Sequence, residues 1–212
     1  HPPMAPPSHE EADKSPITKW LEVTAMRAPS SLRLSYGNSV TAYLGFTAFC
    51  KRHKDECAIN TKSPQKVILT QETWTALDTL NKNINHRIHP MADMQQYGQE
   101  EYWTYPKAAG DCEDYALLKR RELIQKGWPV SSLLITGVNA TREDGTIEGH
   151  AVLVVRTNQG DFVLDNRRDE IRHWHDTEYK FLKSQSPYYT GTWLEIVPPK
   201  KAHQIPVAAS KP

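Results

Sequence analysis

The apolar residues of this chain change period part-way along it. Up to Gly127 they recur every three to four positions. Beyond it they fall into short runs rich in β-branched and aromatic residues: LLITGV at 133–138, HAVLVVR at 150–156, DFVLD at 161–165 and TWLEIV at 192–197. Runs of that length are strands. Asn158-Gln159-Gly160 supplies turn chemistry between two of them, so 150–156 and 161–165 are expected to pair as an antiparallel hairpin. Helices followed by strands predict an α+β domain with helices packed on an antiparallel sheet.

Three helices are legible in the first part. Residues 41–53 carry Leu44, Phe46 and Phe49. Residues 71–88 place Trp74, Leu77, Leu80, Ile84 and Ile88 on one stripe, with Thr70 as the cap and Pro90 as the stop. Residues 112–126 carry Tyr115, Ala116, Leu118 and Leu123, with Gly127 at the C-terminal cap and Pro129 preventing continuation. The segment 91–110 reads as a long irregular connection, the kind that often carries function.

With 212 residues, one domain with tails is favoured over two domains. Nine of the 15 prolines lie in 1–16 and 198–212, so the folded domain is placed at 17–197 between an N-terminal tail (1–16) and a C-terminal tail (198–212). No apolar run approaches the roughly 18 residues of a membrane span. A formal net charge of +1 gives no general attraction for nucleic acid. The chain begins at His1, consistent with removal of a signal peptide or with a chosen boundary.

The three cysteines divide unequally. Cys50 and Cys57 lie seven positions apart, close enough to bridge a helix end to the following turn in an oxidising compartment, or to remain two thiols in a reducing one. C-x6-C is not a zinc spacing. Cys112, in Gly110-Asp111-Cys112-Glu113-Asp114, falls at a helix start, where free amides favour thiolate and can hold an oxyanion. His150 opens a strand and Asp165 closes the next, so the expected hairpin brings them together. Cys, His and Asp in this order supply a nucleophile, a base and an orienting group. Asp111 at N-cap with Asp114 three residues on also reads as an ordinary helix start.

GDCEDYALLKRREL, GHAVLVVRT and DFVLDN resemble the bacterial transglutaminase-like cysteine proteinases of the LapG type. The resemblance implies a papain-like/transglutaminase-like α+β core with Cys112, His150 and Asp165 as the catalytic residues. It implies a periplasmic, calcium-dependent endopeptidase that trims a large surface adhesin, regulates biofilm attachment and answers to an inner-membrane cyclic di-GMP receptor. It also implies Asp111 and Glu113 as calcium ligands. Two carboxylates beside a thiolate raise its pKa, and a hard cation would offset them; further ligands must come from elsewhere, Asp93 in the 91–105 loop being a candidate. The Cys50/Cys57 pair and the GWP at 127–129 resemble shorter single-domain members.

Two alternatives stand beside hydrolysis: acyl transfer to an amine by the same triad, and a non-catalytic peptide- or receptor-binding module. Weaker features are His173 and His175 as a zinc pair on one strand face, His86 and His89 at a helix end, and Trp103 and Tyr105 as cleft or core residues.

Overall fold

A computed structural model describes residues 32–198. The N-terminal tail (1–16), the proposed domain start at 17 and all of the C-terminal tail (198–212) but Pro198 lie outside the described residues. Among the described residues there are four α-helices: α1 (Leu44–Arg52), α2 (Gln71–Arg87), α3 (Asp93–Tyr97) and α4 (Cys112–Gln125). The strands are β1 (Ser35–Val40), β2 (His89–Pro90), β3 (Ala109–Gly110), β4 (Leu133–Thr141), β5 (Ile147–Thr157), β6 (Gly160–Asp165), β7 (Arg168–His173), β8 (Lys180–Gln185) and β9 (Trp193–Val197).

Seven strands form one sheet in the order β1-β9-β8-β4-β5-β6-β7, every neighbouring pair antiparallel. The expected α+β architecture is present. β5 lies well inside this order, which is why Ala151–Val155 is apolar without alternation: both faces are covered. On one face α2 and α4 set Leu77, Leu80, Ile84, Leu117 and Leu123 against Ile135, Leu153, Val155, Phe162 and Leu164. The opposite face buries Val138, Val152, Val154, Val163 and Phe181 under Leu34, Tyr36, Trp174 and Tyr179.

The helix boundaries follow local chemistry. At the start of α2, Thr70 Oγ1 accepts from the Thr73 amide at 3.1 Å and Thr73 Oγ1 accepts from the Thr70 amide at 2.7 Å. α4 ends at Gly127 (φ +88°), where the Gly127 amide bonds Ile124 O and the Trp128 amide bonds Leu123 O, the Schellman closure that favours glycine. The β5–β6 hairpin turns at Gly160 (φ +109°).

Three strands were not legible. β1 (SYGNSV), β7 (RDEIRH) and β8 (KFLKSQ) are polar; β1 and β7 are the sheet edges among the described residues, and the charges of β7 guard its edge. The 91–110 connection is also more regular than its composition suggests. It holds α3 and a two-residue parallel pairing of β2 with β3. Cys50, in α1, and Cys57, in the 3-10 turn Lys54–Cys57, form a disulfide with Cα atoms 5.6 Å apart.

Candidate active site

Gly110 sets the approach to α4. A Cβ there would fall 2.8 Å from Asp114 Cβ and Oδ2. Asp114 is fully buried and ties two segments together: Oδ2 accepts from the Asp111 amide at 3.4 Å and Oδ1 from the Thr104 amide at 2.9 Å. The motif therefore packs the 98–106 loop against the helix start and leaves Cys112 as the first residue of α4. First-turn amides of a helix have no intrahelical partner. Among the described residues Cys112 is the free cysteine. Its thiol donates to Glu113 Oε2 at 3.1 Å. Burial pushes the thiol pKa well up, the Glu113 carboxylate raises it further, and the Ala151 amide facing the sulfur acts in the opposite sense.

His150 and Asp165 arrive from β5 and β6 as the hairpin requires. Leu153 pairs with Leu164, which leaves His150 and Asp165 diagonal across the next step of the ladder, with the face parity of Val152 and Val163. His150 Nε2 lies 2.9 Å from Asp165 Oδ1, and both side chains are buried. Asp165 Oδ1 also accepts the Arg167 amide at 3.0 Å, and Oδ2 accepts the Tyr179 hydroxyl at 2.5 Å. From α2, Asn85 Nδ2 donates to Asp165 O at 2.9 Å and Arg168 O at 3.1 Å, clamping the turn behind the carboxylate. Burial alone would raise the Asp165 pKa, but the bonds from His150, Tyr179 and the Arg167 amide outweigh it and hold it at about 2.

That ionised carboxylate can only accept, so His150 directs an Nε2–H to it. Nδ1 is buried and has no hydrogen-bond partner among the described residues. His150 lines a cavity of about 280 Å³ that also holds Cys112, lined further by Tyr43, Trp103, Gly137 and Asn139. The structure thus brings Cys112 and the His150–Asp165 pair to one cleft.

A second cluster adjoins the sulfur. Carboxylate oxygens of Asp93, Asp111 and Glu113 all lie within 4.8 Å of one another. Asp93 opens α3 and is buried; its Oδ2 accepts the Tyr102 amide. Asp93 Oδ1 and Asp111 Oδ1 are buried and accept no hydrogen bond among the described residues. Burial first, then the neighbouring negative charges, lift Asp111 to about 8. Burial lifts Glu113 to about 7, with Glu101 and Asp114 adding to it. Three converging carboxylates, two of them with an orphaned oxygen, are a donor set suited to a hard divalent cation.

The zinc pair is a correction. β7 ends at His173, which is buried with Nε2 on Gln159 O at 3.0 Å, while His175 sits exposed in the 3-10 turn Trp174–Asp176. The change from strand to turn separates the imidazoles. His86 instead meets Asp169 Oδ2 at 2.6 Å. Trp103 lines the cleft, donates to Glu101 Oε2 at 3.0 Å and packs where Gly45 has no Cβ. Tyr105 turns away to Glu56. Tyr43, Asn85 and Tyr179 were missed, because each reaches the site through long-range packing and none belongs to a local motif.

Residues 36–201 match the family model described as bacterial transglutaminase-like cysteine proteinase. The chain belongs to that family. This transglutaminase-like cysteine proteinase is accordingly a cysteine peptidase. Among solved structures it is similar to Legionella pneumophila LapG in its calcium-bound form, at 23% identity and TM-score 0.48, covering 71% of this chain and 77% of that one. A second Legionella pneumophila LapG structure matches at 24% identity and TM-score 0.47 over 71% and 76%, and an EGTA-treated one at 24% and 0.47 over 71% and 75%. No curated protein matches the proteinase significantly.

Proposed function

We propose that the proteinase is an endopeptidase in which Cys112 is the nucleophile, His150 the general base and acid, and Asp165 the group that orients the imidazole. The observation that carries this reading is the His150 ring: Nε2 is committed to Asp165, Nδ1 is left without a hydrogen-bond partner among the described residues, and the residue lines the cleft that holds Cys112. Nδ1 takes the thiol proton as the sulfur attacks a peptide carbonyl. The C–N bond then breaks as Nδ1–H protonates the leaving amine. Water, deprotonated by Nδ1, hydrolyses the thioester and returns the thiol. The first-turn amides of α4, which have no intrahelical partner, would receive the oxyanion.

Asp93, Asp111 and Glu113 would hold calcium. When bound, the cation supplies positive charge that offsets the carboxylates beside the thiolate. Glu113, which accepts the thiol in this structure, would then be engaged elsewhere, leaving the thiol to His150. A periplasmic setting, a large surface adhesin as substrate, a role in biofilm attachment and an inner-membrane cyclic di-GMP receptor as partner belong to this proposal through the family resemblance. The Cys50–Cys57 disulfide supports the oxidising compartment.

The test is digestion of a peptide library with product masses. Hydrolysis adds water, whereas acyl transfer to an amine releases ammonia. Cleavage abolished by EGTA and by Cys112→Ala, with calcium restoring only the former, supports the reading; products joined with loss of ammonia would replace it with transamidation.

A further inference from the structure

The chain crosses from β7, at one edge of the sheet, to β8 beyond β4 in residues 174–179. This strap covers the face opposite α4, the face that His150 and Asp165 share by parity. It is anchored without Tyr179's hydroxyl: Trp174 meets Phe181 edge-on at 5.6 Å, and Thr177 Oγ1 bonds Trp174 O at 2.7 Å. Tyr179 follows, half-buried, with its ring centroid 5.4 Å from that of His150. Its hydroxyl donates to Asp165 Oδ2, the oxygen that His150 leaves free.

A carboxylate bonded through one oxygen can rotate about its Cβ–Cγ bond. Bonded through both oxygens on different elements, it cannot. We propose that Tyr179 is a positioning residue of the peptidase: by holding Asp165 Oδ2 it fixes the plane of the carboxylate, and through it the direction in which His150 Nδ1 faces Cys112. The inference rests on the reading of Asp165 as the orienting group and adds a fourth member, contributed by a segment distant from the catalytic hairpin. The charged groups around the pair are His150 on β5, Arg167 in the turn after β6, Arg168 at the start of β7, and Lys119 from α4. None of them occupies Asp165 Oδ2 through a side-chain bond.

Tyr179→Phe removes the donor and keeps the ring on the strap. The rate of Cys112 alkylation by iodoacetamide, followed against pH in the calcium-loaded full chain, reads the alignment of the thiol with its base without needing the natural substrate. The variant should label about tenfold more slowly at neutral pH, a fraction of the ~10²–10⁴ contributed by a positioned base. The low-pH limb of its profile should move upward, because Asp165 without the donor on Oδ2 takes a proton more readily. Its thermal midpoint should stay near that of the parent. His150→Ala is measured beside it. If His150→Ala slows labelling and Tyr179→Phe keeps the parent rate and profile, the positioning role is overturned and the triad stands. If His150→Ala itself leaves labelling unchanged, the base assignment fails, and Tyr179's role with it.

Discussion

Each residue of Gly110–Asp114 answers a separate physical demand. Glycine admits the Asp114 side chain, Asp111 and Glu113 flank the sulfur with carboxylates, and Asp114 secures the neighbouring loop. Gly110→Ala should therefore lower both the thermal midpoint and activity, since the added Cβ meets Asp114 Cβ rather than a flexible tip; an unchanged midpoint would contradict this packing. At the other side of the cleft, Asp165→Asn keeps the volume but allows the wrong imidazole tautomer. The expected loss in kcat is roughly 10⁴-fold with KM little changed, by analogy with serine-protease triads. The proximity of Cys112 and His150 to one cleft was legible because helix-start and strand-start positions are local properties. The Asp93 contribution was legible only as a candidate, since α3 closes on the cluster through the loop at Glu101 (φ +56°) and Tyr102.

Among the elements, α4 carries Cys112, the proposed nucleophile, at one end and a buried lysine two turns along. Lys119 Nζ has no hydrogen-bond partner among the described residues, and burial lowers its pKa to about 7, against partial compensation by Asp165 and Asp169. Between about 7 and its ordinary value near 10.4 the folded chain holds fewer protons than the unfolded chain. Stability contributed by this group therefore rises with pH across that window. Lys119→Met should unfold at higher denaturant than the parent at pH 7, the difference shrinking towards pH 10; parallel curves at both pH values would contradict the buried charge. The α2, α4, β5 and β6 elements were legible because each has a strong period and a cap or turn of its own. β1, β7 and β8 were not, because a polar strand gains its structure from the neighbour it pairs with, and Tyr179 was invisible because its partner Asp165 lies across the sheet.

For the whole molecule, the acidic cluster links stability, pH and metal. Asp111 at about 8, Glu113 at about 7 and Asp114 at about 8 all stand above the ordinary carboxylate range near 4 because of burial and then mutual repulsion. From about pH 4 to 8 the folded, metal-free chain thus holds more protons than the unfolded one. The stability these groups contribute is fully present below about pH 4 and lost as pH rises through 7–8. The thermal midpoint in EGTA should fall between pH 5 and 8. Added calcium should raise it, and by more at pH 8, where the ligands are free of protons; equal shifts at both pH values would remove Asp93, Asp111 and Glu113 as the binding site. All of this frames one sulfur atom, and its covalent chemistry is directly observable. During turnover of a peptide library by the calcium-loaded chain, acid quenching and peptide mapping should find Cys112 carrying an acyl group that hydroxylamine releases. A library cleaved while Cys112 stays unmodified, or cleaved equally fast by Cys112→Ala, would contradict Cys112 as the nucleophile.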